Sequence, residues 1–184
     1  NHCGEIEYLA NIIKPDIAII TNIGPTHIEF LGNVEGVAKE KSALFKHLKA
    51  EGKAIFNIET RCVDTIKNIA GKRLVSYGLK SGDFKPEKIS ELENSTLVTM
   101  QGTTLEIPFK GNHYVSNFLA VVVVARDLGL TWDEIARASK NIKTIHGRLD
   151  VLLEKPIYLI DDSYNASFDS MIAAFQVLNN LPKR

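Results

Sequence analysis

The chain has 184 residues, 22 basic and 22 acidic side chains, and a hydrophobic fraction of 45%. This balance is typical of one folded globular domain, or of one domain with part of another, and excludes a disordered or fibrous chain. The even charge balance provides no basic field for nucleic acid, and no apolar run approaches the roughly 20 residues of a membrane-spanning helix. Cys3 and Cys62 are too few for a disulfide framework and fit a reducing compartment.

The first part of the sequence alternates between helical and strand patterns. Apolar residues at helical spacing predict each helix, and short β-rich runs predict each strand. In chain order the predicted elements are helix 6–13, strand 17–21, helix 34–48, strand 54–56, helix 61–69 and strand 74–77. This alternation indicates an α/β fold with a mainly parallel sheet flanked by helices, in which ligands bind near the carboxyl ends of the strands.

The pattern changes after Gly78. Two β-type stretches on either side of Gln101–Thr103 predict a small antiparallel element, and Thr131 with Glu134 forms a capping-box signature. The remaining predicted elements are hairpin strands 96–100 and 104–108, a helix at 117–128 too apolar for any broad face to be solvated, strands 151–153 and 157–160, and a helix from about residue 169.

The loop at 22–27 is the first candidate site, because it follows a predicted buried strand. His27 lies in it and is able to meet a metal ion or a phosphate. Lys39 and Lys41 follow on the next predicted helix. From the residues alone, a loop histidine that bonds only to its surroundings and a solvated lysine face are the commoner interpretations.

Four stretches of the sequence resemble the Mur ligase family, ATP-dependent ligases of peptidoglycan precursor synthesis. They are 1–6, 22–29, 36–41 and 161–166, and they occur in the family's order. The stretch 161–166 is more typical of the members that add D-Ala-D-Ala to UDP-MurNAc-tripeptide through an acyl phosphate. The resemblance therefore implies that activity, with ATP and Mg²⁺ as cofactors and with the tripeptide and the dipeptide as substrates.

The resemblance also implies a metal site. His27 matches a family histidine that binds Mg²⁺, and Lys41, rather than Lys39, matches a lysine that CO₂ converts to a carbamate. A desolvated amine loses its charge readily, and the carbamate is an oxygen anion suited to a hard cation. We expect His27 and Lys41 to be catalytic residues and metal ligands, and Glu5 is a weaker candidate ligand.

Further matches imply a nucleotide site. The residues expected to contact the nucleotide are Asn57, His113, Asn117, Arg148, Asp162, Tyr164 and Asn165. Arg148 lies at the boundary between two domains in the family, where its guanidinium can reach phosphates as the domains close. The sequence also departs from the family pattern, most clearly at Tyr114, where an asparagine is usual.

The resemblance implies two domains, with 1–147 in a central ATP-binding domain and 148–184 at the start of a Rossmann-like C-terminal domain. No G-x-x-x-x-G-K-[ST] motif occurs in the 184 residues. In the family this phosphate-binding loop precedes the stretch that matches 1–6. We therefore expect a fragment without the N-terminal domain, the phosphate-binding loop and most of the C-terminal domain, and we expect it to be inactive alone.

Other functions share this scaffold. The alternatives are the ligases that add diaminopimelate or lysine, folylpolyglutamate synthetase, cyanophycin synthetase, and a non-catalytic nucleotide-binding module. The state of the phosphate-binding loop upstream would separate an enzyme from a binding module. We expect the intact protein to be a cytoplasmic monomer that does not bind nucleic acid or insert into a membrane.

Overall fold

A computed structural model describes residues 2–71, 74–143, 145–154 and 157–179. The helices in these ranges are α1 (Glu5–Ile13), α2 (Ile28–Leu31), α3 (Val34–Ser42), α4 (Val63–Ala70), α5 (Asn112–Asp127), α6 (Trp132–Ser139) and α7 (Phe168–Asn179). The strands are β1 (Ile17–Ile20), β2 (Lys53–Asn57), β3 (Leu74–Tyr77), β4 (Lys88–Glu91), β5 (Thr96–Met100), β6 (Thr103–Ile107), β7 (Asp150–Glu154) and β8 (Ile157–Asp161).

The first three strands form the parallel sheet that the sequence predicts. Their order is β1-β2-β3, with Ile17 opposite Lys53 and Ala54 opposite Leu74. Parallel pairing places the carboxyl ends of all three strands at the same edge. The loops that follow them therefore share that edge, and the first of these loops contains His27.

Helices cover both faces of this sheet. Ile55 in β2 is fully buried in a cluster with Leu119 of α5, whereas its neighbours Ala54 and Phe56 are buried in a second cluster with Val37 of α3. Successive side chains of a strand point to opposite faces, so a strand that is apolar throughout needs a cover on each side. This packing positions α3 on one face of the sheet and α5 on the other.

A second sheet packs against α5. Strands β4, β5 and β6 are antiparallel and adjacent in that order, which confirms the predicted hairpin and adds one strand to it. Val98 and Leu105 are fully buried in the cluster that contains Leu119. The sequence analysis missed β4 because Ile89 is its one large apolar residue.

Two predicted helices differ from the structure. The helix predicted at 34–48 ends at Ser42 and continues as a 3-10 turn over Ala43–His47. Helix α5 begins at Asn112, five residues before the predicted start at 117, because its polar first turn lacks the apolar spacing on which the prediction depended. Within this helix Phe118, Leu119, Ala120, Val122 and Val123 are buried, while Val121 is 57% exposed.

The capping box before α6 is confirmed. The Thr131 hydroxyl accepts a hydrogen bond from the Glu134 amide at 3.3 Å, and the Thr131 amide donates to the Glu134 carboxylate at 2.8 Å. Further along, β7 and β8 form an antiparallel pair that α7 follows. In the described part of the chain, no helix combines the length and the apolar character needed to cross a bilayer.

Glu40 is the one acidic residue that the described core buries, at 9% exposure. Its carboxylate accepts hydrogen bonds from the amides of Gly4 at 2.8 Å and Ile6 at 2.9 Å. These amides belong to the start of α1, where helical N–H groups have no partner within the helix and favour a negative charge. Glu40 therefore attaches the first turn of α1 to α3.

We expect Glu40→Ala to lower the free energy of unfolding by about 2 kcal/mol, because two amides lose a charged acceptor. Glu40→Gln keeps one oxygen acceptor and should cost about half as much. Urea unfolding followed by circular dichroism measures both changes. The exposed Glu93→Ala is the matched control, expected within about 0.5 kcal/mol of the parent. Equal stability of the Glu40 and Glu93 variants would contradict this account.

Candidate functional site

The loop between β1 and α2 contains His27 and is held at its base by Thr60. The buried Ile23 donates its amide to the Thr60 hydroxyl at 2.6 Å, and this hydroxyl donates to the Asn22 side chain at 3.1 Å. His27 is exposed and begins α2 with a φ of 55°, a left-handed conformation unusual for a residue other than glycine. The imidazole is thus presented at the carboxyl edge of the sheet.

Lys41 reaches this loop from α3. Its Nζ donates to the backbone oxygen of Asn22 at 3.0 Å, and the side chain is half-buried. Desolvation by this burial lowers the pKa of the Lys41 ammonium. Lys39 on the same helix is exposed, so the two candidate lysines differ in burial.

Glu5 lies apart from that contact, at the start of α1. Its carboxylate accepts from the His2 amide at 3.0 Å and lies 3.1 Å from His2 Nδ1. Within the described residues, no cluster of three or more histidine, cysteine, aspartate or glutamate side chains has an arrangement that could hold a metal ion. A ligand role for Glu5 stays a prediction.

Asn57 connects the end of β2 to α5. Its amide nitrogen donates to the Ser116 hydroxyl at 3.1 Å, and its oxygen accepts from the Glu59 amide at 2.9 Å. The Glu59 carboxylate in turn accepts from three consecutive amides of the loop after β3, at residues 79–81. Asn57 therefore contacts Ser116, the residue that precedes Asn117 on α5.

His113 and Asn117 lie one turn apart on α5, a spacing that places both on one side of a helix. Asn117 is exposed, whereas the buried Nε2 of His113 has no hydrogen-bond partner in the described structure. Burial lowers the pKa of the His113 imidazole, and the nearby negative charge of Asp162 partly opposes that change. Burial therefore favours the neutral form of the His113 ring, which lies near Asp162.

Arg148, Asp162 and Tyr164 form a group at the start of this segment. The Arg148 guanidinium lies over the Tyr164 ring at 4.2 Å, and Asp162 accepts from the Leu149 amide at 3.2 Å. Asn165 is exposed and accepts from the amide of the next residue at 2.8 Å. Three of the four expected nucleotide residues of this segment are thus neighbours.

Side-chain contacts join this segment to the parallel-sheet layer. The Tyr114 hydroxyl donates to the backbone oxygen of Arg148 at 2.7 Å, and Arg61 pairs with Asp169 at 3.2 Å. A Cβ on Gly24 would lie 2.9 Å from an Asp169 carboxylate oxygen, so α7 begins directly against the loop of His27. Sequence reasoning missed Arg61 and Asp169, because 108 residues separate them and neither has a local signal.

Comparisons with known proteins place the chain in a family. The family model described as "Mur ligase middle domain" matches residues 1–125. The chain belongs to the Mur ligase family. His27, Lys41 and Asn57 lie at the carboxyl edge of the sheet in the matched part of this Mur ligase chain.

Several relatives carry a more specific name. The UDP-N-acetylmuramoyl-tripeptide–D-alanyl-D-alanine ligase of Escherichia coli is 34% identical over 99% of this chain, which spans 42% of that protein. MurF from Acinetobacter baumannii is 32% identical, with a TM-score of 0.91 over 98% of this chain and 41% of that one. MurF from Thermotoga maritima, solved in complex with ADP, is 25% identical with a TM-score of 0.84 over 100% of this chain and 43% of that one.

Proposed function

We propose that this chain is part of an ATP-dependent ligase that joins D-Ala-D-Ala to UDP-MurNAc-tripeptide. The observation that carries the proposal is the contact of the half-buried Lys41 with the loop of His27, in a chain whose relatives bear the name of that ligase. Because the chain spans 42% of the E. coli relative, the complete reaction is assigned to the full-length protein. We expect that protein to be a cytoplasmic monomer.

The chain divides into two functional parts in this proposal. Residues 1–147 belong to the central ATP-binding domain, and 148–184 begin the C-terminal domain, of which 155–156 and 180–184 lie outside the described residues. Support for the boundary comes from Gly147, which is buried with a φ of 75°. Such a backbone conformation favours glycine and suits a turn between two domains. We expect the 184 residues alone to be inactive.

The first part would hold the metal. A neutral Lys41 Nζ adds to the carbon of CO₂ and releases one proton, which leaves a carbamate with two oxygen donors. The lowered pKa of Lys41 favours the neutral amine. The Asn22 carbonyl is an uncharged acceptor, so it orients Nζ without forming an ion pair with the ammonium. The carbamate oxygens fit Mg²⁺, a hard cation that takes oxygen ligands and would neutralise phosphate charge, and an imidazole would add a nitrogen ligand. His27 supplies the imidazole at the same edge.

The nucleotide would lie between the two parts. Asn57, His113 and Asn117 would contact it from the parallel-sheet layer, and the 148–165 residues from the other side. Arg148 is a permanent cation and suits a phosphate, while Asp162 orients its neighbour Leu149. In such a site the protein contributes mainly positioning and charge stabilisation.

The proposed reaction has two steps. The terminal carboxylate of the tripeptide attacks the γ-phosphorus of ATP and expels ADP. The amine of D-Ala-D-Ala then attacks the acyl phosphate, and phosphate leaves through a tetrahedral intermediate as the amide forms. The exposed His27 and Arg148 lie at the open edge of the site, where both substrates would enter.

An assay of the full-length protein decides the substrate. With ATP, Mg²⁺ and UDP-MurNAc-tripeptide, we expect phosphate release that requires D-Ala-D-Ala and yields the corresponding pentapeptide. If phosphate release instead requires diaminopimelate or lysine, together with a UDP-MurNAc acceptor that has a shorter peptide, the protein is another ligase of the same family. Absence of release with every amine would favour a nucleotide-binding module without catalysis.

In the same assay, Lys41→Ala should lower activity about 100-fold or more, because a metal ligand worth several kcal/mol is lost. High bicarbonate or a short-chain carboxylate should partly restore it by supplying an oxygen anion. Lys39→Ala is the matched control, since the same substitution two residues away removes an exposed lysine, and it should stay within about two-fold of the parent. Equal activity of the two variants would exclude the carbamate.

A further inference from the structure

We infer that Tyr114 is a positioning residue that fixes Arg148 at the junction of the two parts of the chain. It acts through the backbone of Arg148 and not through contact with a substrate. The link to catalysis rests on the proposed function of Arg148 as a phosphate contact. The structural half of the inference depends only on the contacts of Tyr114, Arg148 and Leu149.

Two neighbouring rings hold the Tyr114 side chain. The Phe109 ring stacks on it with centroids 4.9 Å apart and an interplanar angle of 28°, and the His113 ring lies against it at 4.3 Å. Aromatic contacts of this kind restrict the orientation of a ring. The hydroxyl therefore projects from α5 in a defined direction, toward residue 148.

The peptide group between Arg148 and Leu149 is bonded on both sides. Its oxygen accepts from the Tyr114 hydroxyl at 2.7 Å, and its N–H donates to Asp162 at 3.2 Å. Leu149 has a φ of 53°, a strained left-handed value for a non-glycine residue. Hydrogen bonds at both ends of one peptide unit explain how that conformation is maintained.

The side chain of Arg148 has its own support. Its guanidinium lies over the Tyr164 ring at 4.2 Å. Of the contacts described for residues 148 and 149, the bond from Tyr114 is the one that comes from the part of the chain matched by the family model. Tyr114 is thus the connection through which the nucleotide-side helix α5 sets the position of Arg148.

This role also explains the residue type at position 114. The Mur ligase motif that Gly111–Asn117 resembles has an asparagine there, and a short amide lacks the reach of a phenol. The tyrosine at this position bonds to the backbone of Arg148, so its side chain is not available to the nucleotide. The nucleotide contacts on α5 then fall to His113 and Asn117.

Limited proteolysis tests the structural half directly, because trypsin cleaves the Arg148–Leu149 peptide whose carbonyl Tyr114 binds. In the 184-residue chain, Tyr114→Phe should raise the initial rate of this cleavage about five-fold, the effect of one hydrogen bond on local opening. The phenyl ring keeps the stacking on Phe109. Cleavage after Lys80, in an exposed loop, should not change.

Tyr8→Phe is the matched control, because it removes the hydroxyl of an exposed tyrosine on α1. It should leave cleavage after Arg148 at the parental rate. If Tyr114→Phe also leaves that rate unchanged, the inference is wrong. A rise at both Arg148 and Lys80 would indicate general destabilisation and would likewise overturn it.

The catalytic half is tested in the full-length protein with a double-mutant cycle on kcat/KM for ATP. If Tyr114 acts through Arg148, Tyr114→Phe should lower kcat/KM about five-fold in the parent and have little effect in Arg148→Ala. Equal effects in both backgrounds would overturn the positioning role. An inactive parent protein would count against the proposed function, and the proteolysis result would still decide the contact.

Discussion

The hydrogen bond between Lys41 Nζ and the Asn22 carbonyl connects the two elements on which the site depends. Helix α3 carries Lys41 and is fixed by Val37, which is fully buried against the sheet. The loop carries His27 and is fixed by the buried Ile23 and its bond to Thr60. Because packing sets both partners, the lysine is held partly out of water, and this desolvation lowers its pKa. The packing of the core therefore favours the neutral form of the Lys41 amine.

The second requirement is a wall opposite the sheet edge. In the proposed site, residues 148–154 and 157–179 would supply it, and they are joined to the sheet layer by a hydrogen bond at Arg148 and an ion pair at Asp169. The exposed Arg61–Asp169 pair adds little stability by itself, since such pairs contribute roughly 0–1 kcal/mol. Its effect is geometric, because it places the start of α7 against Gly24. A nucleotide between these surfaces would meet positioned groups from both parts of the chain.

Local patterns predicted most elements of the fold, because apolar spacing, Pro15 and the Thr131 capping box act within a few residues. The early start of α5 was not predicted, since a polar first turn gives no periodic signal. The choice of Lys41 over Lys39 came from the family resemblance, and the half-burial of Lys41 supports it. Contacts such as Tyr114 to Arg148 join distant stretches and depend on the assembled fold, so one sequence does not reveal them.

Under the proposed function, Lys41 becomes an anionic ligand beside His27. Carbon NMR of the full-length protein with ¹³C-labelled bicarbonate and Mg²⁺ tests it without relying on turnover. This account predicts one carbamate resonance that Lys39→Ala retains and Lys41→Ala abolishes. No carbamate resonance in the parent at saturating bicarbonate, or one that persists in Lys41→Ala, would contradict it.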